Sequence, residues 1–248
     1  MNKYICIMKT EMTPRQFIEQ YTEYFGDAAP LPIAIIYTDS PLGELRQIPG
    51  CMFKQIHRAY KGEAVTFSAE NLACGGGRFY SGFTSAPKGV FNFVSLCEKY
   101  KVSPEIAEQS IRMIDVHPAV KPYLNFIRVD CLDTFDGIEG VIFLVTPEVM
   151  SGLFVWANFD STDINAVQSP FGSGCSSTIT SLVNENKRRG KHCFIGMFDV
   201  SARPYFRPTI LSFSIPLSRF REMCATLSQC CVSGAPAWLK VRKRINHS

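Results

Sequence analysis

The chain has 248 residues, 46% of them hydrophobic and 19% charged, with a formal net charge of +4. That balance excludes a disordered or fibrous chain and supplies enough apolar side chains for a sizeable core. No apolar run reaches the ~18 residues of a membrane helix, because Pro32, Thr38, Glu139, Pro147 and Asn158 interrupt the longest candidates.

The opening MNKYICIMKTEM places Lys9 and Glu11 too early for a secretory leader. A cytoplasmic location with no membrane partner is therefore expected. Thr13 as N-cap, Pro14 behind it, Gln16 three residues after the cap and Gly26 as a stop then predict a first helix. Its buried stripe is Phe17, Tyr21 and Tyr24 or Phe25. LPIAIIY (31–37) predicts a buried strand, and CMFKQIHRAYKG a helix with Met52, Phe53, Ile56 and Tyr60 on one side. EAVTFSAE predicts a strand that delivers the chain into ACGGGRFYSGF (73–83).

Two helices are expected next, VFNFVSLCEKYK and SPEIAEQSIRMID, the second capped by Ser103 ahead of Pro104. YLNFIRVDCL and GVIFLVT read as neighbouring strands across the turn-rich DTFDGIEG. A Thr-Pro helix (TPEVMSGLFVWANF), a short strand (INAVQSPF), a glycine turn with a helix (GSGCSSTITSLVNENKRRG), two strands (HCFIGMF, ILSFSIP) and a last long helix (LSRFREMCATLSQCC) complete the chain. Strands and helices alternate without a linker or repeat. This predicts one compact α+β domain over residues 1–248, with helices packed on a mixed or antiparallel sheet.

Ten cysteines (Cys6, Cys51, Cys74, Cys97, Cys131, Cys175, Cys193, Cys224, Cys230 and Cys231) without an export signal are expected to be free thiols. Cys51, Cys97, Cys131 and Cys224 stand among apolar residues and read as small core hydrophobes. No Cys-x-x-Cys occurs, so no zinc or other metal site is expected. His57, His117, His192 and His247 share no spacing and are read as structural or surface groups. The basic runs NENKRRGK (184–191) and KVRKRINHS (240–248) lack interleaved aromatics, which argues against nucleic acid.

The chemistry concentrates in two glycine turns, CGGGR (74–78) and GSGCSS (172–177). Each is expected to leave a strand and enter a helix, where unpaired amides and the helix dipole favour an anion and a thiolate. Gly75, Gly76, Gly77, Gly174, Ser176 and Ser177 are the candidate donors, Arg78 and Arg203 the charges, and Tyr80 or Phe171 a flat wall. Cys74 and Cys175 are the candidate working thiols. FDVSARPYFRPTI adds Asp199 and Arg203 on a loop stiffened by Pro204 and Pro208.

CGGGRFYSGF, FGSGCSST and FDVSARPYF leading to SFSIPLSRF, in this order, resemble the uncharacterised prokaryotic family called domain of unknown function 169, over about residues 31–228. The resemblance implies that the glycine turns form a family site, and it implies no activity. Many members carry a second cysteine near the first motif, where this chain has Gly75, which argues against an iron-sulfur cluster on that loop alone. The expectation is a binder of a small anionic metabolite or cofactor of unknown identity. A thiol- or metal-dependent enzyme or redox protein using Cys74 or Cys175 is the alternative, and self-association stays open.

Overall fold

The computed structural model describes residues 11–246. Cys6, His247 and most of the opening stretch read as lacking a leader lie outside them. The first helix, α1 (Pro14–Phe25), begins at a complete capping box of Thr13 and Gln16 and buries Phe17, Tyr21 and Phe25. β1 (Ile33–Thr38) follows, then a 3₁₀ turn, Met52–Gln55, that runs into α2 (Ile56–Tyr60), and β2 (Val65–Phe67). α3 (Gly75–Tyr80) and α4 (Val90–Asn92) come next, and α4 continues as a π-helical turn, Phe93–Cys97. α5 (Pro104–Arg112) is capped by the Ser103 hydroxyl.

β3 (Tyr123–Arg128), β4 (Gly140–Val145), α6 (Pro147–Asn158) and β5 (Val167–Gln168) lead to a second π-helical turn, Ser176–Thr180, which feeds α7 (Ser181–Lys187). β6 (Cys193–Gly196), β7 (Leu211–Pro216), α8 (Leu217–Thr226) and α9 (Pro236–Ile245) close the described chain.

The strands form one seven-stranded sheet in the order β2-β3-β1-β4-β7-β6-β5. Every pairing is antiparallel except β5 with β6, which makes the sheet mixed and the fold α+β. Side chains alternate across it as the period of two requires. On β4, Val141, Phe143 and Val145 join an apolar cluster with α1, α6, α8 and α9, while Ile142 and Leu144 join a second cluster on the other face with α2 and the Cys175–Leu182 segment. The sheet is thus covered on both sides, and the second face carries the cavity described below.

Three expectations are corrected. β3 and β4 are not neighbours, because β1 lies between them and pairs with both; the connecting segment, with its 3₁₀ turn at Val129–Cys131, spans that extra strand. The helix LSRFREMCATLSQCC is not the last: residues 240–245 of the basic C-terminal run lie on a further helix, α9, which Pro236 starts and which buries Trp238 and Ile245. Cys97 and Cys131 are exposed, not core residues.

Candidate ligand cavity

Both glycine turns border one cavity of about 850 Å³ on the second face of the sheet. Its walls come from the 3₁₀ turn around Phe53, the start of α3, the 87–94 segment, α5 with Ala107 and Ile111, the 169–177 turn and the 198–205 loop. π-helical turns are rare and recur at functional sites. Both of those among the described residues contribute to the cavity, one through Phe93 and Val94, the other through Ser177.

At the first turn the glycines are not a loop. Cys74 is the N-cap of α3, its Sγ accepting the Gly77 N–H at 3.3 Å, and Gly75, Gly76 and Gly77 form the first helical turn. None of the three has a positive φ. A Cβ added at Gly76 would meet only Cys74 Sγ at 3.9 Å, and one at Gly77 would find ordinary contacts from 3.5 Å outward, whereas one at Gly75 would press Pro87 at 3.1 Å. Neither backbone geometry nor crowding therefore requires glycine at 76 and 77. All three glycines and Tyr80 face the cavity. Arg78 does not border it; its side chain is half-buried with an Nε that has no hydrogen-bond partner.

At the second turn the expected anion cradle is already filled by the protein itself. Asp199 Oδ2 accepts the Gly174 N–H at 2.9 Å, and its Oδ1 accepts from the Ser201 amide and hydroxyl at 2.9 and 2.8 Å. Ser173 takes up the next amides: its Oγ accepts from Ser176 N at 3.1 Å and its carbonyl from Ser177 N at 3.0 Å. Ser176 does not border the cavity, because its hydroxyl donates back to Ser173 O at 2.9 Å, while Ser177 does. Crowding disfavours a side chain here, since a Cβ on Gly174 would sit 3.1 Å from Met197 Sδ and 3.2 Å from Ala202 Cβ.

Arg203 also lies outside the cavity lining. Its guanidinium is spent on the carbonyls of Met197, Arg207, Pro208 and Ile210, which clamps the loop between β6 and β7. The two turns are tied together by Thr180 Oγ1, which donates to Tyr80 O at 2.7 Å. Burial pushes the Tyr80 phenol up to about 12, with a smaller downward pull from a hydrogen bond with Ser173.

Three thiols, Cys51, Cys74 and Cys175, border the cavity. Cys175 is buried, and that burial raises its pKa well above the usual thiol value, with the nearby Cys51, Cys74 and Asp199 adding to the shift. The helix-end field expected to favour a Cys175 thiolate is thus outweighed by desolvation. Burial likewise raises Cys51, the cysteine that sequence reasoning placed in the core. Among the described residues no group of three His, Cys, Asp or Glu side chains is arranged to hold a metal ion.

The residues that sequence reasoning missed are those brought in from α5 and the 87–101 segment, above all Lys88, Lys101, Tyr100 and Ile111. Lys101 Nζ stands 3.9 Å from the centre of the Phe171 ring. The one local signal was Gly89, which adopts a φ of +76° beside Lys88.

A family model matches residues 28–226, described as DUF169, uncharacterised ArCR, COG2043. The chain belongs to this family. No curated protein and no solved structure matches it. The family region runs through α8 and so contains every residue that lines the cavity, while α1 and α9 lie outside it.

Proposed function

We propose that this DUF169 protein binds a small organic metabolite or cofactor in the cavity, with an apolar body inside and an anionic end at the mouth. The observation that carries this is the pair Gly76 and Gly77: both face the cavity, both sit in ordinary helical backbone, and neither is crowded by the fold. Glycine in a helix costs roughly 0.5–1 kcal/mol relative to alanine. Bare backbone held at that cost suits a ligand that lies flat against the helix. Volume and lining agree, since ~300–1,000 Å³ with apolar walls and few polar groups is usual for such sites. The wall offers Phe53, Tyr80 and Ile111.

The anionic end is assigned to Lys88 and Lys101, which border the cavity and have no ion pair among the described residues. The sequence reading placed the anion at the glycine turns; Asp199 already fills the second of these. The nine described cysteines are all unpaired, in keeping with a reducing, cytoplasmic compartment.

One observation favours a second reading, a thiol-dependent reaction. Cys74 borders the cavity, half-buried, with its sulfur held in place by the Gly77 amide hydrogen bond. The two readings separate on Cys74→Ser, which keeps binding and abolishes turnover only if the thiol reacts.

The test is a thermal-shift screen of organic anions, followed by native mass spectrometry on any hit, with wild type and Gly76→Ala in parallel. Gly76→Ala should melt at or above the wild-type temperature, by up to ~1 kcal/mol of added stability, yet lose most of the ligand-induced shift. A variant that responds to ligand like the wild type would remove the main support for the site.

A further inference from the structure

The mouth of the cavity carries large apolar side chains left in solvent. Phe93, Phe171, Phe198 and Val200 all border it and are 53%, 63%, 58% and 68% exposed. Scattered exposed hydrophobes need no explanation, but four around one opening form the kind of patch that marks a contact surface. The same rim is basic. Lys88 and Lys101 border the cavity, Lys99 is exposed between Phe93 and Lys101 in the chain, and Lys54 holds its ammonium 4.7 Å from the centre of the ring of Tyr205, another lining residue. Between Lys88 and Lys101 the acidic side chain is Glu98, and between Phe198 and Tyr205 it is Asp199, which is committed to Gly174 and Ser201.

We infer that this rim docks on an anionic bilayer surface and that the cavity takes an amphiphilic ligand directly from the lipid. Apolar side chains at headgroup depth and lysines on anionic headgroups are the two signals that together hold a protein at an interface. A second copy of the chain fits the rim less well, because a two-fold contact would set its lysines against themselves. Docking also accounts for the order of the parts: the lysines stand where a headgroup would stay, and the apolar cavity opens behind them. The inference rests on the reading of the cavity as the site for a ligand with an apolar body. It also departs from the sequence-based expectation of no membrane partner; no helix among the described residues is long and apolar enough to cross a membrane.

The experiment is co-sedimentation of the full chain with vesicles of phosphatidylcholine alone and of phosphatidylcholine mixed with phosphatidylglycerol. Wild type should pellet with the anionic vesicles, release with rising salt and stay in the supernatant with the neutral ones. Lys54→Glu and Lys99→Glu touch the rim but not the cavity lining, and each should weaken vesicle binding by roughly five-fold or more. Phe198→Ser should weaken it at unchanged melting temperature.

Equal binding to neutral vesicles, wild-type binding by the rim variants, or no binding at all would overturn the inference. So would a dimer in sedimentation velocity that Phe198→Ser dissolves, which would make a second copy the occupant. Dodecyl phosphate below its micellar concentration separates this failure from that of the cavity reading. If it raises the melting temperature while vesicles leave the protein in solution, docking falls and the cavity reading stands; if neither occurs, both fall.

Discussion

Cysteine position, more than cysteine number, decides the thiol chemistry of this chain. Cys74 and Cys175 both lie at glycine-rich helix starts, yet Cys74 is half-buried on the cavity wall while Cys175 is buried and its ionisation suppressed. An alkylating reagent at neutral pH is expected to label Cys74 and the exposed Cys97 well before Cys175, Cys193 and Cys224, all three of which burial pushes up. Because a raised pKa means less thiolate at a given pH, the lag of Cys175 should shrink as pH climbs past the ordinary thiol range. Peptide mass spectrometry of timed aliquots reads this directly, and early labelling of Cys175 would show that the second turn opens. Sequence reasoning named both thiols but could not rank them, since exposure is set by what packs on the turn, here Met197 and Ala202 from a later loop. The same holds for Arg203, which its proline-stiffened loop offered as a ligand charge until the fold brought four carbonyls around it.

Among the elements, those with local punctuation were legible and those without were not. The capping box of α1, the Ser103 cap of α5 and the Thr-Pro start of α6 are contained within a few residues, so sequence alone located them. Strand order depends on pairings between distant segments, and the place of β1 between β3 and β4 carries no local mark. α9 was hidden by its charge: four cationic residues from Lys240 to Arg244 masked the Trp238, Val241, Ile245 stripe. That helix docks through Trp238, whose Nε1 donates to Tyr24 O at 2.8 Å and whose ring packs against Phe25 at 5.1 Å between centres. Gly152 on α6 makes room for the ring: a Cβ there would come within 2.3 Å of Trp238 Cη2 and 2.8 Å of Phe25 Cε1. Gly152→Ala should therefore destabilise the protein by about 2 kcal/mol, against the gain that alanine normally brings to a helix. Urea denaturation followed at tryptophan would measure it, and an unchanged midpoint would mean that α9 shifts freely.

In the whole molecule the family region and the protein do not coincide. Residues 28–226 hold the sheet and the cavity, yet α1 and α9 cover the opposite face and meet each other there, with Asn246 beside Gly26. Cut to residues 28–226, the chain should expose Phe143, Trp156 and Phe220, which these helices help to bury. Aggregation, or a melting temperature lowered by many degrees, is the expected outcome in size-exclusion and scanning calorimetry; a monomer as stable as the full chain would show that the ends add nothing to the core. The interior position of β1 has a further consequence in time. Its Ile33 waits for Arg128 on one side and Ile142 on the other, so a ribosome releases this inner strand of the sheet long before either neighbour exists. Sheets closed by such distant partners form slowly, and the apolar run from Ile33 to Tyr37 stays open to wrong partners through most of synthesis. The growing chain is thus open to misassembly at a strand that ends up paired on both edges.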